Sequence, residues 1–581
     1  MVNRRIVEWL KRGLLIIGLL LISLIMVRQM GAQEEKDWRF GIVEAYTARN
    51  SARELKIGWT RVGFHWADVQ AGGPDTWTPG LSDEEIDEQL AEGREVIGLL
   101  IGIPDWARDE AGLPAGLWLD HDDPANLWAN YVREVVTRYD GRINHWIIWN
   151  EPDIDASEVA HSWDGGVDDF YQLQQVAYLV AKEANPDSVI HLAAFTYWAD
   201  FDAGREQYMA RLLDRILADP QAAEHNYFFD VATAHLYFQP DQVYELLDVF
   251  LGIMRERGLA QPIWLVETNA PAYDDPEWPV PDPVLAVSNT EQAAYIPQAL
   301  ASAMAGGAER IGVYKLRDTE GDRAANPEPF GLLRLDGSRR LAFNTYREAI
   351  RFMRGVKTAT RERWDEVGQF RLEQEDRITT VLFARLPQPQ QVEIEAIAPT
   401  ARLVDMWGQE QVLEAEDGYY NIDLQQALCT QTIGDYCMIG GTVYYLIQAI
   451  DGGFPPEENP PVVPPPPTIT IALSPTMTAS PSPTATPMPS ATASLTPRPT
   501  ATDVSKEPTA AATAVSPTEI TQTKAIGALT TEPDEGAVAS TRPSQNASDG
   551  QAPSGLAALI LILILGGVGV GLLLIFRNRT G

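Results

Sequence analysis

The chain has 581 residues, and 45 lysines and arginines against 81 aspartates and glutamates give a formal net charge of −36. So acidic a surface repels polyanions and excludes a nucleic-acid partner. Two cysteines without a neighbouring histidine exclude a four-ligand structural zinc site.

At the start, Arg4, Arg5, Lys11 and Arg12 precede a 15-residue apolar run from Gly13 to Val27. This is the order of the charged and hydrophobic regions of a signal peptide, and the run is short for a bilayer. Residues 1–32 are therefore expected to direct export, cleaved near Ala32 or else retained as an N-terminal anchor. From Trp38 onward, eight β-branched or aromatic runs are expected to be strands: 38–45, 59–66, 95–102, 144–152, 189–195, 229–238, 263–268 and 310–318. Between them lie amphipathic stretches with apolar residues at three-to-four spacing, such as those from Ala125, Phe170 and Thr290, and a last one from Leu341. Several strands are apolar almost throughout, as in a parallel sheet covered on both faces. The alternation predicts an α/β fold, a (β/α)8 TIM barrel over residues 38–355. An open doubly wound sheet fits less well, because no glycine-rich phosphate loop follows the first strand.

Residues 356–451 change to period-two patterning broken by Asp-Gly, Gly-Gly and Pro turns, which predicts a small all-β sandwich domain. Cys429 and Cys437 stand eight apart there, and outside the cell they are expected to pair as a disulfide. Residues 454–554 are Pro, Thr, Ser and Ala with hardly an aromatic; 20 of the 41 prolines fall here, and no tryptophan lies beyond Trp407. Such a segment cannot bury enough apolar surface to order itself and is expected to be a disordered, semi-extended stalk. Gly555 to Phe576 is an uncharged run of 22 residues, long enough for one transmembrane helix. Arg577 and Arg579 follow it, so residues 577–581 are expected to be cytoplasmic and everything before Gly555 outside the cell membrane.

Chemistry is expected at the carboxyl ends of the barrel strands. The fourth ends in Trp149-Asn150-Glu151-Pro152 and the seventh in Val266-Glu267-Thr268, which puts a carboxylate at the mouth from two strands lying across the barrel. Two such groups can flank a scissile glycosidic bond, one protonating the leaving oxygen and the other attacking the anomeric carbon. Asn150 is placed to hydrogen-bond a sugar 2-hydroxyl, a contact that strengthens in the transition state.

Asn150-Glu151-Pro152 after an aromatic strand resembles the fourth-strand signature of the clan of retaining (β/α)8 glycoside hydrolases that includes cellulases, mannanases and β-xylosidases. The resemblance covers about Trp38 to Met353 and implies Glu151 as proton donor and acid/base and Glu267 as nucleophile. It further implies Arg61 as support for the nucleophile, His235 and Tyr237 as residues of the sixth strand end, and Pro104 and Trp106 as a Pro-x-Trp after the third. One departure is Tyr314-Lys315 after the eighth strand, where many members carry Trp; this leaves Lys315 to meet a hydroxyl or a carboxylated sugar. Trp66, Trp106 and Trp198, at or beyond strand ends, are candidate platforms for the apolar faces of pyranoses. No metal or cofactor is expected, and the oligomeric state is left open. The expected partner is a poly- or oligosaccharide with β-glycosidic bonds, cleaved with retention. A non-catalytic carbohydrate-binding or adhesion protein is the alternative, although binding alone needs neither Glu.

Overall fold

In a computed structural model the described residues are 37–154, 161–325 and 328–451. The expected export segment, stalk, transmembrane run and cytoplasmic tail lie outside them. Among the described residues no helix is long and apolar enough to cross a membrane.

Eight strands form a closed barrel in sequence order: β1 Phe40–Val43, β2 Trp59–His65, β3 Glu95–Ile101, β4 His145–Ile148, β5 Val189–Phe195, β6 Val231–His235, β7 Ile263–Thr268 and β8 Ala308–Val313. Each is parallel to its neighbours, and β8 closes on β1 with Phe40 opposite Ile311. One principal helix follows each strand: α1 Arg49–Leu55, α2 Asp83–Ala91, α3 Leu127–Arg138, α4 Val167–Ala184, α5 Tyr208–Leu217, α6 Pro240–Glu256, α7 Asn289–Ala305 and α8 Leu341–Met353. Local chemistry sets several starts: Ser82 with Glu85 and Ser288 with Glu291 form capping boxes, and Asn126 accepts from the Ala129 amide.

The barrel interior is packed by Trp59, Ile97, Leu99, Ile147, Ala194, Val231, Trp264 and Val266. Two large indoles fit because glycines face them. Inside the ring, a Cβ on Gly41 would fall 2.1 Å from the Trp59 indole; on the outer face, under the helices, one on Gly98 would fall 2.3 Å from Trp146. Buried volume is thus shared between adjacent strands, large against small.

The expected sandwich is lopsided. Its main layer is a six-stranded antiparallel sheet in the order β14-β13-β18-β11-β10-β9, built from β9 Thr358–Trp364, β10 Val367–Glu373, β11 Arg377–Ala384, β13 Thr400–Asp405, β14 Glu410–Glu414 and β18 Tyr444–Ala449. The second layer is only β12 Gln390–Glu395 paired with β15 Tyr419–Leu424. Val392, Ile394, Tyr420, Ile422 and Leu424 of this pair cover Leu382, Leu403 and Leu446 of the sheet. On the sheet's other face Phe370, Leu372, Phe383, Tyr445 and Ile447 join the barrel's helical core, with Phe352 and Tyr445 rings 5.1 Å apart.

This docking explains why α7 is buried on nearly every side. Gln298, inside that helix, accepts from the Gly440 amide at 3.0 Å and donates to the Gly441 carbonyl at 3.2 Å. Cys429 and Cys437 are joined in a disulfide. The loop they close carries β16 Thr432–Ile433 and β17 Tyr436–Cys437, and places the Thr430 amide 2.9 Å from Glu291 of α7.

Candidate active site

The chain leaves β4 through an unusual backbone. Trp149 and Glu151 both have positive φ, 71° and 46°, a region that costs side-chain-bearing residues energy and persists only when neighbours enforce it. The enforcement is visible. The Trp149 amide donates to Leu100 of β3 and the Glu151 amide to Ala194 of β5, at 2.8 and 3.1 Å. Two residues on, Asp153 is buried, and one of its oxygens accepts from the Thr196 amide, the Thr196 hydroxyl and the Tyr197 amide at 2.7, 2.9 and 3.2 Å. Both neighbouring strands therefore hold the turn that aims Glu151.

Glu151 and Glu267 are both buried and face each other across His235, the last residue of β6. His235 Nδ1 lies 2.5 Å from Glu151 Oε1, and its Nε2 lies 3.3 Å from Arg61 Nη1 and 3.5 Å from Glu267 Oε1. One oxygen of each Glu and a ring nitrogen of His235 all fall within 4.8 Å of one another. Glu267 Oε1 also pairs with Arg61 Nη2, and its Oε2 accepts from the Tyr237 hydroxyl. Glu151 Oε2 is buried and has no hydrogen-bond partner among the described residues.

The surroundings push the two carboxyls apart. Burial raises Glu151 to about 7; His235 opposes this and the charge of Glu267 adds to it. Burial also acts upward on Glu267, but Arg61, His235 and the Tyr237 hydrogen bond outweigh it and leave Glu267 below the usual carboxylate value. Tyr237 stays a neutral donor, because burial first and the Glu267 charge second raise its phenol well above the ordinary value.

The histidine tautomer follows from its neighbours. Arg61 only donates, so Nε2 accepts and Nδ1–H points to Glu151 Oε1. When Glu151 is protonated its proton sits on Oε2, the oxygen with no partner among the described residues. Arg61 already supplies the positive charge beside Glu267 that a cation would bring. Chemically, the arrangement sets a buried carboxyl that holds its proton more tightly than usual against one that is held ionised.

The structure thus brings together Glu151, Glu267, Arg61, His235 and Tyr237, with Asn150 beside them, 6 % exposed. Trp66 is not a platform at the mouth: it is fully buried, stacked on Tyr131 at 4.9 Å, with its indole N–H on Gln70. It lies one layer too deep because it opens a short helix, Trp66–Val69, that folds over the barrel flank. Trp106 is half-buried, edge-on to Trp66, and donates to the Gln70 carbonyl. Trp198 is half-buried on the short helix Trp198–Asp202 after β5, against Tyr197 and Ile154. Lys315 is no free cation for a carboxylated sugar: it is 2 % exposed, with its ammonium 2.6 Å from Glu44 and 3.0 Å from Asp322.

Sequence reasoning missed Asp153, although it stands two residues beyond Glu151. It also missed Tyr314, whose buried hydroxyl has no partner and whose ring packs on Tyr237 and Phe330. Nothing local marks Glu44, whose partners come from the far end of the barrel sequence.

No family model matches the sequence, and no curated protein matches it. Solved structures do match. A family 39 glycoside hydrolase from the gut symbiont Bacteroides cellulosilyticus WH2 has a TM-score of 0.52 at 15 % identity, over 71 % of this chain and 81 % of that one. A monomeric β-xylosidase from Caulobacter crescentus CB15 gives 0.47 at 15 % identity, over 71 % and 96 %. A glycoside hydrolase family 30 subfamily 8 xylanase from Clostridium acetobutylicum gives 0.47 at 13 % identity, over 71 % and 97 %. The first of these likenesses establishes a shared fold, in which this chain contributes its (β/α)8 barrel.

Proposed function

We propose that this chain is a membrane-anchored, extracytoplasmic glycoside hydrolase that cleaves β-glycosidic bonds with retention of configuration. The observation that carries the reading is a pair of buried carboxyls whose oxygens lie within 4.8 Å and whose surroundings push them in opposite directions, Glu151 up to about 7 and Glu267 down. Retaining enzymes hold their carboxyl groups about 5–5.5 Å apart, whereas inverting ones need about 6.5–9.5 Å to admit a water. One oxygen of each group within 4.8 Å of the other is compatible with the shorter, retaining spacing.

In the first step Glu267 forms a bond to the anomeric carbon while the proton of Glu151 passes to the departing oxygen. In the second, ionised Glu151 takes a proton from water as its oxygen attacks the same carbon, and Glu267 is released as a carboxylate. Arg61 and the Tyr237 hydroxyl keep Glu267 charged between turnovers. His235 orients Glu151, and Asn150 meets the 2-hydroxyl. Membrane attachment and export rest on the apolar runs Gly13–Val27 and Gly555–Phe576 in the sequence.

Proton NMR of the first-formed sugar tests the reading. The β-anomer is expected first from a β-glycoside, and first appearance of the α-anomer would overturn the assignment of Glu267.

A further inference from the structure

The wall of the mouth between β8 and β1 carries a charge cluster that catalysis does not use. Glu44 follows β1 in a left-handed conformation, φ 60° and ψ 44°, with its amide on the carbonyl of Arg61 at 3.4 Å. Its Oε2 lies 2.6 Å from Lys315 Nζ, which also donates to Asp322 Oδ1 at 3.0 Å. The Thr319 amide and hydroxyl hold the other oxygen of Asp322 at 2.6 and 2.8 Å. Among the described residues Glu44 Oε1 has no partner, and the side chain is 18 % exposed.

The cluster borders the catalytic pair: Lys315 follows Tyr314, whose ring centroid lies 6.4 Å from that of Tyr237, the donor to Glu267. Burial works against the Lys315 charge, but Glu44 and Asp322 outweigh it and hold the ammonium protonated. Two carboxylates against one ammonium leave this wall with one net negative charge. Arg61, beside it, is already committed to Glu267.

We propose that Glu44 is a specificity-determining residue that accepts hydrogen bonds from hydroxyls of a neutral sugar bound over Glu267, and that its wall rejects uronic acids. An ionised carboxylate accepts and never donates, so its free oxygen suits hydroxyl donors and repels a sugar carboxylate. Lys315 keeps Glu44 charged and fixed instead of receiving an anion. The net charge of −36 on the whole chain acts in the same direction against polyuronides. The inference rests on the glycosidase reading and names its substrate class.

The test uses full-length protein in detergent and three aryl glycosides with one leaving group: β-xyloside, β-glucoside and β-glucuronide. A neutral substrate is expected to exceed the glucuronide in kcat/KM. Glu44→Gln keeps an acceptor oxygen but loses the charge, so it should raise KM for that substrate roughly 5- to 10-fold, the difference between a charged and a neutral hydrogen bond, with a small change in kcat. It should also narrow the gap to the glucuronide. Glu44→Asp, which keeps the charge but withdraws it by one methylene, should lose KM while keeping discrimination against the glucuronide, a pattern that misfolding would not produce. Preference of the wild type for the glucuronide, or a Glu44→Gln variant with unchanged KM and selectivity, would overturn the inference. No turnover of any substrate would instead overturn the glycosidase reading and this inference with it.

Discussion

At the scale of single residues, the site separates two chemically identical groups by their neighbours. Burial favours the protonated form of Glu151 and the charge of Arg61 favours the ionised form of Glu267, so the proposed roles can be separated by leaving group. Glu151→Ala should lose roughly 10²–10⁴-fold in kcat on substrates with poor leaving groups and much less on activated aryl glycosides. Glu267→Ala should be impaired on both, and identical behaviour of the two variants would refute the assignment. Activity needs Glu267 ionised and Glu151 protonated, so kcat/KM should rise as pH passes the depressed Glu267 value and fall above about 7. An alkaline limb well away from 7 in that profile would count against Glu151 as the acid. Arg61→Met should let the Glu267 value rise and shift the acid limb upward while circular dichroism stays unchanged.

Elements decide how accurately those residues are aimed. The positive-φ turn after β4 depends on Asp153 binding the end of β5, so Asp153→Ala should lower kcat by loosening Glu151. Asp153→Asn should rescue only part, because an amide keeps one acceptor oxygen but loses the carboxylate charge. The readout is kcat against KM on one aryl glycoside, and a defect confined to KM would show that Asp153 does not position the acid. The short loop closed by Cys429 and Cys437 docks on α7 through Thr430. Replacing both cysteines by Ser should cost roughly 2–3 kcal/mol from the freed chain entropy of a loop this short, measured by denaturant titration. Strand identity was legible because eight apolar runs recur between helical repeats. The burial of α7 on nearly all sides was not, since it comes from a sheet encoded more than 50 residues later.

For the whole molecule, stability is tied to a histidine pair inside the barrel. His145 Nδ1 lies 3.0 Å from His191 Nε2, and both rings pack on Trp264. Burial lowers His145 to about 4, and burial with the neighbouring His145 lowers His191 well below its usual value. An unfolded histidine binds its proton near 6.5, so between about 6.5 and 4 the unfolded chain holds more protons than the folded one. The stabilisation is complete above that window and is lost as pH falls through it, at up to ~1.4 kcal/mol per pH unit for each ring. Chemical denaturation at pH 7, 5.5 and 4.5 should show this slope, and His145→Gln should flatten it; an unchanged slope would mean other groups carry the acid sensitivity.

The sequence by itself determined the alternation that makes a barrel, the change to period-two strands after Val356, and the two strand-end carboxylates with Asn150 beside one of them. These are readable because strand and helix periods and the residue closing a strand are local properties of the chain. Folding alone settles that Trp66 packs inward, that Lys315 is ion-paired, that the sandwich has one broad layer, and that the carboxyls of Glu151 and Glu267 are pushed in opposite directions. Each of these depends on groups far apart in sequence: Trp66 on Tyr131, Lys315 on Glu44, and Glu267 on Arg61. Closing the eight strands into a ring is what sets the burial and charge around each group, and one-dimensional spacing carries no record of either.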